Sequence, residues 1–254
     1  MKRFILASFS LLFALGQAPS QAAEIPAAPA DSWPMYRGTA SLTGLSKSKL
    51  SSSLKQLWAF KAEEGIHGTA AIADGRVFVG CDDGKLYALD FKTGKQIWSF
   101  KTEDIVESAP LVRDGKVYFG SSDCFVYALD AKDGKLLWKF ETEDRVLGAP
   151  NFFQPKGKDA KPSLIVGSYD FKLYAFDPVT GKKKWDYETS NYINGSPAVF
   201  SGRTAFGGCD ALLHVIDLNA GKKQKQIDAE AYIIGSAAVV DDMAYIGHYE
   251  NEFL

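Results

Sequence analysis

Residues 86–98 read LYALDFKTGKQIW, and forty residues later 126–138 read VYALDAKDGKLLW. The repetition extends along the chain. Asp90, Asp130, Asp177 and Asp217 recur at steps of 40, 47 and 40, and Gly94, Gly134, Gly181 and Gly221 keep the same beat. Four residues after each glycine stand Trp98, Trp138, Trp185 and then Lys225, with Trp58 opening the series one step earlier. Upstream of each aspartate, Gly80, Gly120, Gly167, Gly207 and Gly247 are followed by Asp83, Asp123, Asp170, Asp210 and Glu250. The long step comes from a polar insertion, QPKGKDA at 154–160, which leaves its flanks intact and is therefore a loop. A chain repeating at this length builds one supersecondary unit several times and buries the face of each against its neighbour.

Each unit reads as four short strands. In the second they are expected at Ala109–Val112, Lys116–Ser121, Phe125–Asp130 and Lys135–Glu141, rich in β-branched and aromatic residues. Asp114-Gly115 is a two-residue hairpin turn, and Gly134 closes the next turn in a left-handed conformation. Helical spacing is nowhere sustained. Four strands per unit and one tryptophan per unit predict an all-β fold, a β-propeller of four-stranded antiparallel blades. It has about four complete blades and a partial fifth, as part of a larger ring. The tryptophans are expected to anchor neighbouring blades, and the repeated aspartates to satisfy turn N–H groups rather than to bind metal. What every blade carries serves what every blade shares, which is folding.

Residues 1–22 have the form of an export signal: Lys2 and Arg3, an apolar stretch over 5–15, and Ser20-Gln21-Ala22 before the cut. A leader segment at 23–50 precedes repeats over 51–254. No apolar run is long enough to span a bilayer, and no cysteine follows the signal to carry a lipid. The expected location is periplasmic or extracellular, in soluble form and not as a lipoprotein. With 29 Lys+Arg against 31 Asp+Glu, nothing draws the chain to nucleic acid. Cys81, Cys124 and Cys209 form neither a disulfide framework nor a metal or haem motif, and read as small buried hydrophobes.

The stretch PLVRDGKVYFGSSDCFVYALDAKDGKLLW, Pro110–Trp138, resembles the PQQ-like β-propeller repeat. The leader SWPMYRG at 32–38, with Thr43-Gly44 and Leu57-Trp58, is similar to the segment that precedes the first blade in that family. The resemblance covers about residues 32–254 and implies the fold more strongly than the function. One branch, the quinoprotein dehydrogenases, carries pyrroloquinoline quinone and Ca²⁺; this chain lacks their adjacent cysteine pair and any haem attachment site, and no catalytic residue transfers by motif. The other branch, exported BamB-type propellers, binds partners without catalysis. The reading favoured is an exported, non-catalytic propeller serving as a binding or assembly scaffold, with no cofactor expected and no catalytic or metal-ligating residue assigned. The alternatives are a fragment of a quinone-dependent dehydrogenase, which would hold the quinone, or a ligand-sensing propeller.

Specificity should sit in columns that vary between blades. Immediately before each inner strand, equivalent positions hold His67, Glu107, Leu147, Asn194 and Ile234, and two residues earlier stand Gly65, Ile105, Arg145, Tyr192 and Tyr232. These connections cross from the outer strand of one blade to the inner strand of the next, so they ring the channel mouth. His67, Glu107, Arg145, Tyr192 and Asn194 are the candidate binding set, suited to a protein or a polar small-molecule ligand. Lysines such as Lys92, Lys132 and Lys182 occupy the turns at one end of the blades, and acids such as Glu63, Glu103 and Glu143 the crossings at the other. The fifth unit stops inside its third strand, which predicts a fragment whose missing blades close the ring, with Leu54–Lys61 as outer strand of the last blade; a five-bladed ring would instead pair 54–61 with the fifth unit.

Overall fold

A computed structural model describes residues 32–49, 51–157 and 160–254; the expected export signal at 1–22 falls outside the described residues, as do two residues of the insertion. The described chain holds strands and turns, with no helix long and apolar enough to cross a membrane. Four antiparallel sheets of four strands follow one another, each paired strictly in sequence order. Blade 1 comprises β1 (Ala71–Ala73), β2 (Arg76–Gly80), β3 (Lys85–Asp90) and β4 (Gln96–Lys101). Blade 2 comprises β5 (Leu111–Arg113), β6 (Lys116–Gly120), β7 (Phe125–Asp130) and β8 (Leu136–Glu141). Blade 3 comprises β9 (Asn151–Phe153), β10 (Ser163–Gly167), β11 (Lys172–Phe176) and β12 (Lys183–Glu188), and blade 4 β13 (Ala198–Phe200), β14 (Arg203–Gly207), β15 (Leu212–Asp217) and β16 (Lys222–Asp228). A fifth unit has β17 (Ala238–Val240), β18 (Met243–Tyr245) and a bridge from Gly247 to Phe253. The propeller of about four blades and a partial one is as the repeats predicted.

The first strand of blade 2 begins at Leu111, two residues later than the sequence suggests, because Pro110 has no N–H to give a ladder. Asp114 and Gly115 both have positive φ, 50° and 70°, as a tight hairpin turn demands. Residues 54–61 form no strand and make no pairing with the fifth unit, among the described residues. They lie instead against blade 1, where Trp58 donates through Nε1 to Phe91 O at 2.9 Å. That is the position an outer strand takes on its neighbour.

The tryptophan series joins the blades. Trp98 donates to Ala131 O at 3.2 Å and Trp138 to Pro178 O at 3.1 Å, each across to the next blade. Both are largely buried, at 8% and 9% exposure. Each ring lies flat on the turn glycine of that next blade. At Gly134, where φ is 74°, a Cβ would come within 2.7 Å of the Trp98 ring, so the glycine is needed for conformation and for closeness alike. The core is accordingly the set of layers between blades.

The aspartates serve the turns. Asp90 Oδ1 accepts from the N–H groups of Lys92 and Thr93, and Asp177 Oδ1 from those of Val179 and Thr180. Asp123 and Asp170 each accept from the hydroxyl of a buried tyrosine four residues on, Tyr127 at 2.7 Å and Tyr174 at 2.6 Å. Their Oδ2 atoms also accept from Glu103 N and Glu143 N on the crossing segments.

Blade 4 breaks this column. There the tyrosine is replaced by His214, whose Nε2 lies 2.8 Å from Asp210 Oδ2, and both side chains are buried. On the other side of the ring, Nδ1 faces Tyr187 Oη at 3.2 Å and Gln226 Nε2 at 3.3 Å. Tyr187 comes from blade 3, where blades 1 and 2 have Phe100 and Phe140. Burial alone would raise the Asp210 carboxyl, but the His214 hydrogen bond and charge, with the Leu212 and Ser190 N–H groups, leave it below the usual carboxylate range. A carboxyl depressed in the folded state stabilises above its unfolded pKa of about 3.9, and the contribution is lost as pH falls through the folded value. Asp210→Asn should therefore lower stability by about 1–3 kcal/mol at pH 7. Urea titrations of both proteins at pH 7 and pH 3 should show that difference narrowing in acid.

All three cysteines are free; Cys81 is buried as expected, while Cys124 and Cys209 are only partly so. Burial pushes the Cys81 and Cys124 thiols up, away from reactive thiolate.

The leader is the main departure from the sequence reading. Trp33 exchanges backbone hydrogen bonds with Ile72 of blade 1, at 2.7 and 2.8 Å. Pro34 O accepts from Val112 N of blade 2, Ala40 O from Val199 N of blade 4 and Ser41 O from Val239 N of the fifth unit. In blade 3, Asn151 takes over: its Nδ2 donates to Ala40 O at 2.7 Å, and its Oδ1 accepts from Phe152 N at 2.7 Å. Residues 33–42 thus run across the inner strands of every unit, with Met35 and Leu42 buried among them.

Candidate functional site

The crossing segments owe their position to a second glycine column. Val106, Val146, Ile193 and Ile233 are fully buried or nearly so, and each packs on the glycine that ends a second strand. A Cβ at Gly120 would lie 2.2 Å from Val146 Cγ1 and 2.5 Å from Val146 O, so the crossing sits against bare backbone. Hydrogen bonds from Val106 N to Cys81 O and from Val146 N to Ser121 O, both 3.1 Å, fix the depth. The residue after each anchor then emerges at the axis: Glu107, Leu147, Asn194 and Ile234.

Those residues and His67 line one cavity of about 350 Å³ at the channel mouth, with Tyr36 and Arg37 from the leader. His67 Nε2 lies 3.1 Å from Asp82 Oδ2. Asn194 donates through Nδ2 to Cys209 Sγ at 2.9 Å, while its Oδ1 is buried without a donor. Arg37 donates through Nη1 to Ser236 O at 3.0 Å and stacks on Tyr36, and it meets no carboxylate among the described residues. Glu107 meets no cation among them. A hollow of about 500 Å³ beside the fifth unit also borders Arg37.

Of the five side chains singled out from the sequence, three (His67, Glu107 and Asn194) meet in this cavity. Arg145 and Tyr192 do not line it. They stand on a neighbouring ladder: the Arg145 guanidinium lies 4.9 Å over the Tyr169 ring, Tyr169 stacks on Tyr192 at 4.9 Å, and Phe171 meets Tyr192 edge-on at 5.2 Å. Burial pushes the Tyr169 hydroxyl up, with Arg145 opposing. Phe171 has φ of 71°, at a position where blade 1 has Gly84. Sequence reasoning missed Arg37, which lies outside the repeat, and Tyr169 and Phe171, whose departure from the column's small residues was a visible signal.

A profile of the outer membrane protein assembly factor BamB family matches residues 51–253. The chain belongs to that family. BamB from Moraxella catarrhalis superposes with a TM-score of 0.66 at 22% identity, over 78% of this chain and 60% of that one. The quinohemoprotein alcohol dehydrogenase from Comamonas testosteroni superposes with a TM-score of 0.68 at 18% identity, over 87% of this chain and 46% of that one. A computationally designed protein, Ika8, gives 0.62 at 18% identity, over 72% and 56%. At such identities the likeness is one of fold, and this BamB-family chain spans less than two thirds of each of these proteins. No curated protein matches it in sequence.

The mouth fits pyrroloquinoline quinone poorly. That cofactor is a flat polyanion usually bound with a divalent cation. Here one guanidinium, Arg37, shares the cavity with the carboxylate of Glu107, and among the described residues no group of three His, Cys, Asp or Glu could hold a metal ion.

Proposed function

We propose that the protein is an exported β-propeller that works without catalysis as a binding or assembly scaffold for other proteins, as the name of its family suggests. The observation that carries this reading is the ladder beside the channel mouth. Arginine and tyrosine are the side chains that dominate protein interfaces, because they bring large contact area and hydrogen bonds at a small entropic cost. Tyr192, Tyr232, Ile234 and Tyr249 stand exposed on the same crossings and adjoining turns, at 39%, 55%, 56% and 68%. Phe171, which meets Tyr192 edge-on at 5.2 Å, extends the same aromatic surface.

The test is the double variant Glu107→Gln, Arg145→Ala. Neither side chain holds the fold together, so the melting temperature should stay within about 2 °C, while capture of the natural partner from an envelope extract should drop at least tenfold. Unchanged capture by the double variant would place the binding surface elsewhere. The second reading, a segment of a quinone-dependent dehydrogenase, is favoured by the likeness in fold to the Comamonas enzyme. An absorption spectrum with added quinone and Ca²⁺, and an assay of dye-linked alcohol oxidation, separate the two; turnover would displace the scaffold reading.

A further inference from the structure

The mouth cavity holds two opposite charges that do not meet. Arg37 enters from the leader and Glu107 from the crossing into blade 2, and no ion pair joins them within 4 Å. Arg37 uses one N–H on Ser236 O; its other donors find no acceptor among the described residues. Glu107 accepts from no donor among them, and both residues are half-buried. Partly desolvated charges without partners are costly, so such a pair facing one cavity suits a ligand that brings both countercharges. Near them, Asn194 Oδ1 is buried without a donor. At about 350 Å³ the cavity lies at the small end of the range of roughly 300–1,000 Å³ for small-molecule sites.

We infer that the channel mouth binds a small zwitterion, an α-amino acid or dipeptide, with its carboxylate on Arg37 and its ammonium on Glu107 and Asn194 Oδ1. The guanidinium presents a fork of N–H donors that a carboxylate can meet with both oxygens. The ammonium has three donors, which the Glu107 carboxylate and the orphan amide oxygen can accept. Neither end alone completes the site, since a simple anion leaves Glu107 unmatched and a simple amine leaves Arg37 unmatched. His67 is held against Asp82 at the rim, and Leu147 and Ile234 supply the apolar wall for a side chain. The inference goes beyond the scaffold reading and does not depend on it, because calorimetry with small probes reads the cavity alone, whereas Arg145, Tyr169 and Tyr192 of the ladder do not line it.

Isothermal titration calorimetry on the full chain tests it, with L-alanine, L-glutamine and L-alanyl-L-alanine as probes, each also in N-acetylated and C-amidated form. Saturable binding of at least one free zwitterion is expected, weakened at least tenfold by blocking either end. Glu107→Gln should weaken the free zwitterion at least tenfold with an unchanged melting temperature. Arg37→Lys, which keeps the charge but loses the fork, should weaken it less. Absence of saturable heat with every probe at millimolar concentration overturns the inference. So does equal affinity for either blocked form, or an unaffected Glu107→Gln variant. Partner capture by the wild type alongside a silent calorimeter would remove this inference and leave the scaffold reading standing.

Discussion

Trp138→Ala should lower the free energy of unfolding by about 3–5 kcal/mol. The indole is 9% exposed and lies between two blades, its ring on Gly181, with Tyr118 and Phe176 at centroid distances of 6.0 and 6.2 Å. Truncation empties that layer and also removes one of the two donors to Pro178 O, leaving it the Tyr118 hydroxyl alone. The cavity cannot collapse, because the glycine turn and the neighbouring strand are held by their own hydrogen bonds. Urea denaturation followed by circular dichroism checks the value. Trp58→Ala is the internal control: that residue is only half-buried, so its loss should cost clearly less. Equal costs at the two positions would show that the layers between blades are not where the stability resides.

Leu42→Ala should cost about 2–5 kcal/mol, although the residue belongs to a segment outside every blade. Leu42 is 1% exposed and packs among side chains from several blades. Its φ of 56° is kept by alanine, so the change isolates lost packing from altered backbone strain. A frayed terminal arm would give a change within about 0.5 kcal/mol, the usual range for surface positions. Chemical denaturation at one pH decides between the two.

The blades were legible because their signals recur. One Trp98 is a core residue among others, whereas three at a constant offset from a turn glycine define a docking geometry. The crossing column also placed His67, Glu107 and Asn194 together, since equivalent positions around a ring share an axis. Arg145 and Tyr192, two residues earlier in the same crossings, sit farther from that axis and find aromatic neighbours instead. The leader was illegible for a physical reason. It binds through carbonyls at Pro34, Ala40 and Ser41, and every residue carries a carbonyl, so no side-chain pattern announces the pairing. Only Asn151, the polar exception in a column otherwise of Ala and Leu, marked the place where a side chain substitutes for it.

The leader also ties together units that lie far apart in sequence. A chain of stacked repeats ordinarily gains stability unit by unit, each blade answering only to the one before. Here the first described residues reach hydrogen-bond partners in the fifth unit, with Arg37 and Ser236 199 residues apart. Those partners emerge, from ribosome or export channel, only after the four blades that separate them from the leader. Until then the inner strands of the early blades keep free N–H groups at Ile72 and Val112 or hold the leader by these alone. The leader therefore acts as a clasp that is set first and fastened only when the fifth unit arrives. Maturation of the fold should be governed by this one late event, with a high contact order and a single slow phase, rather than by the rapid local pairing inside each blade.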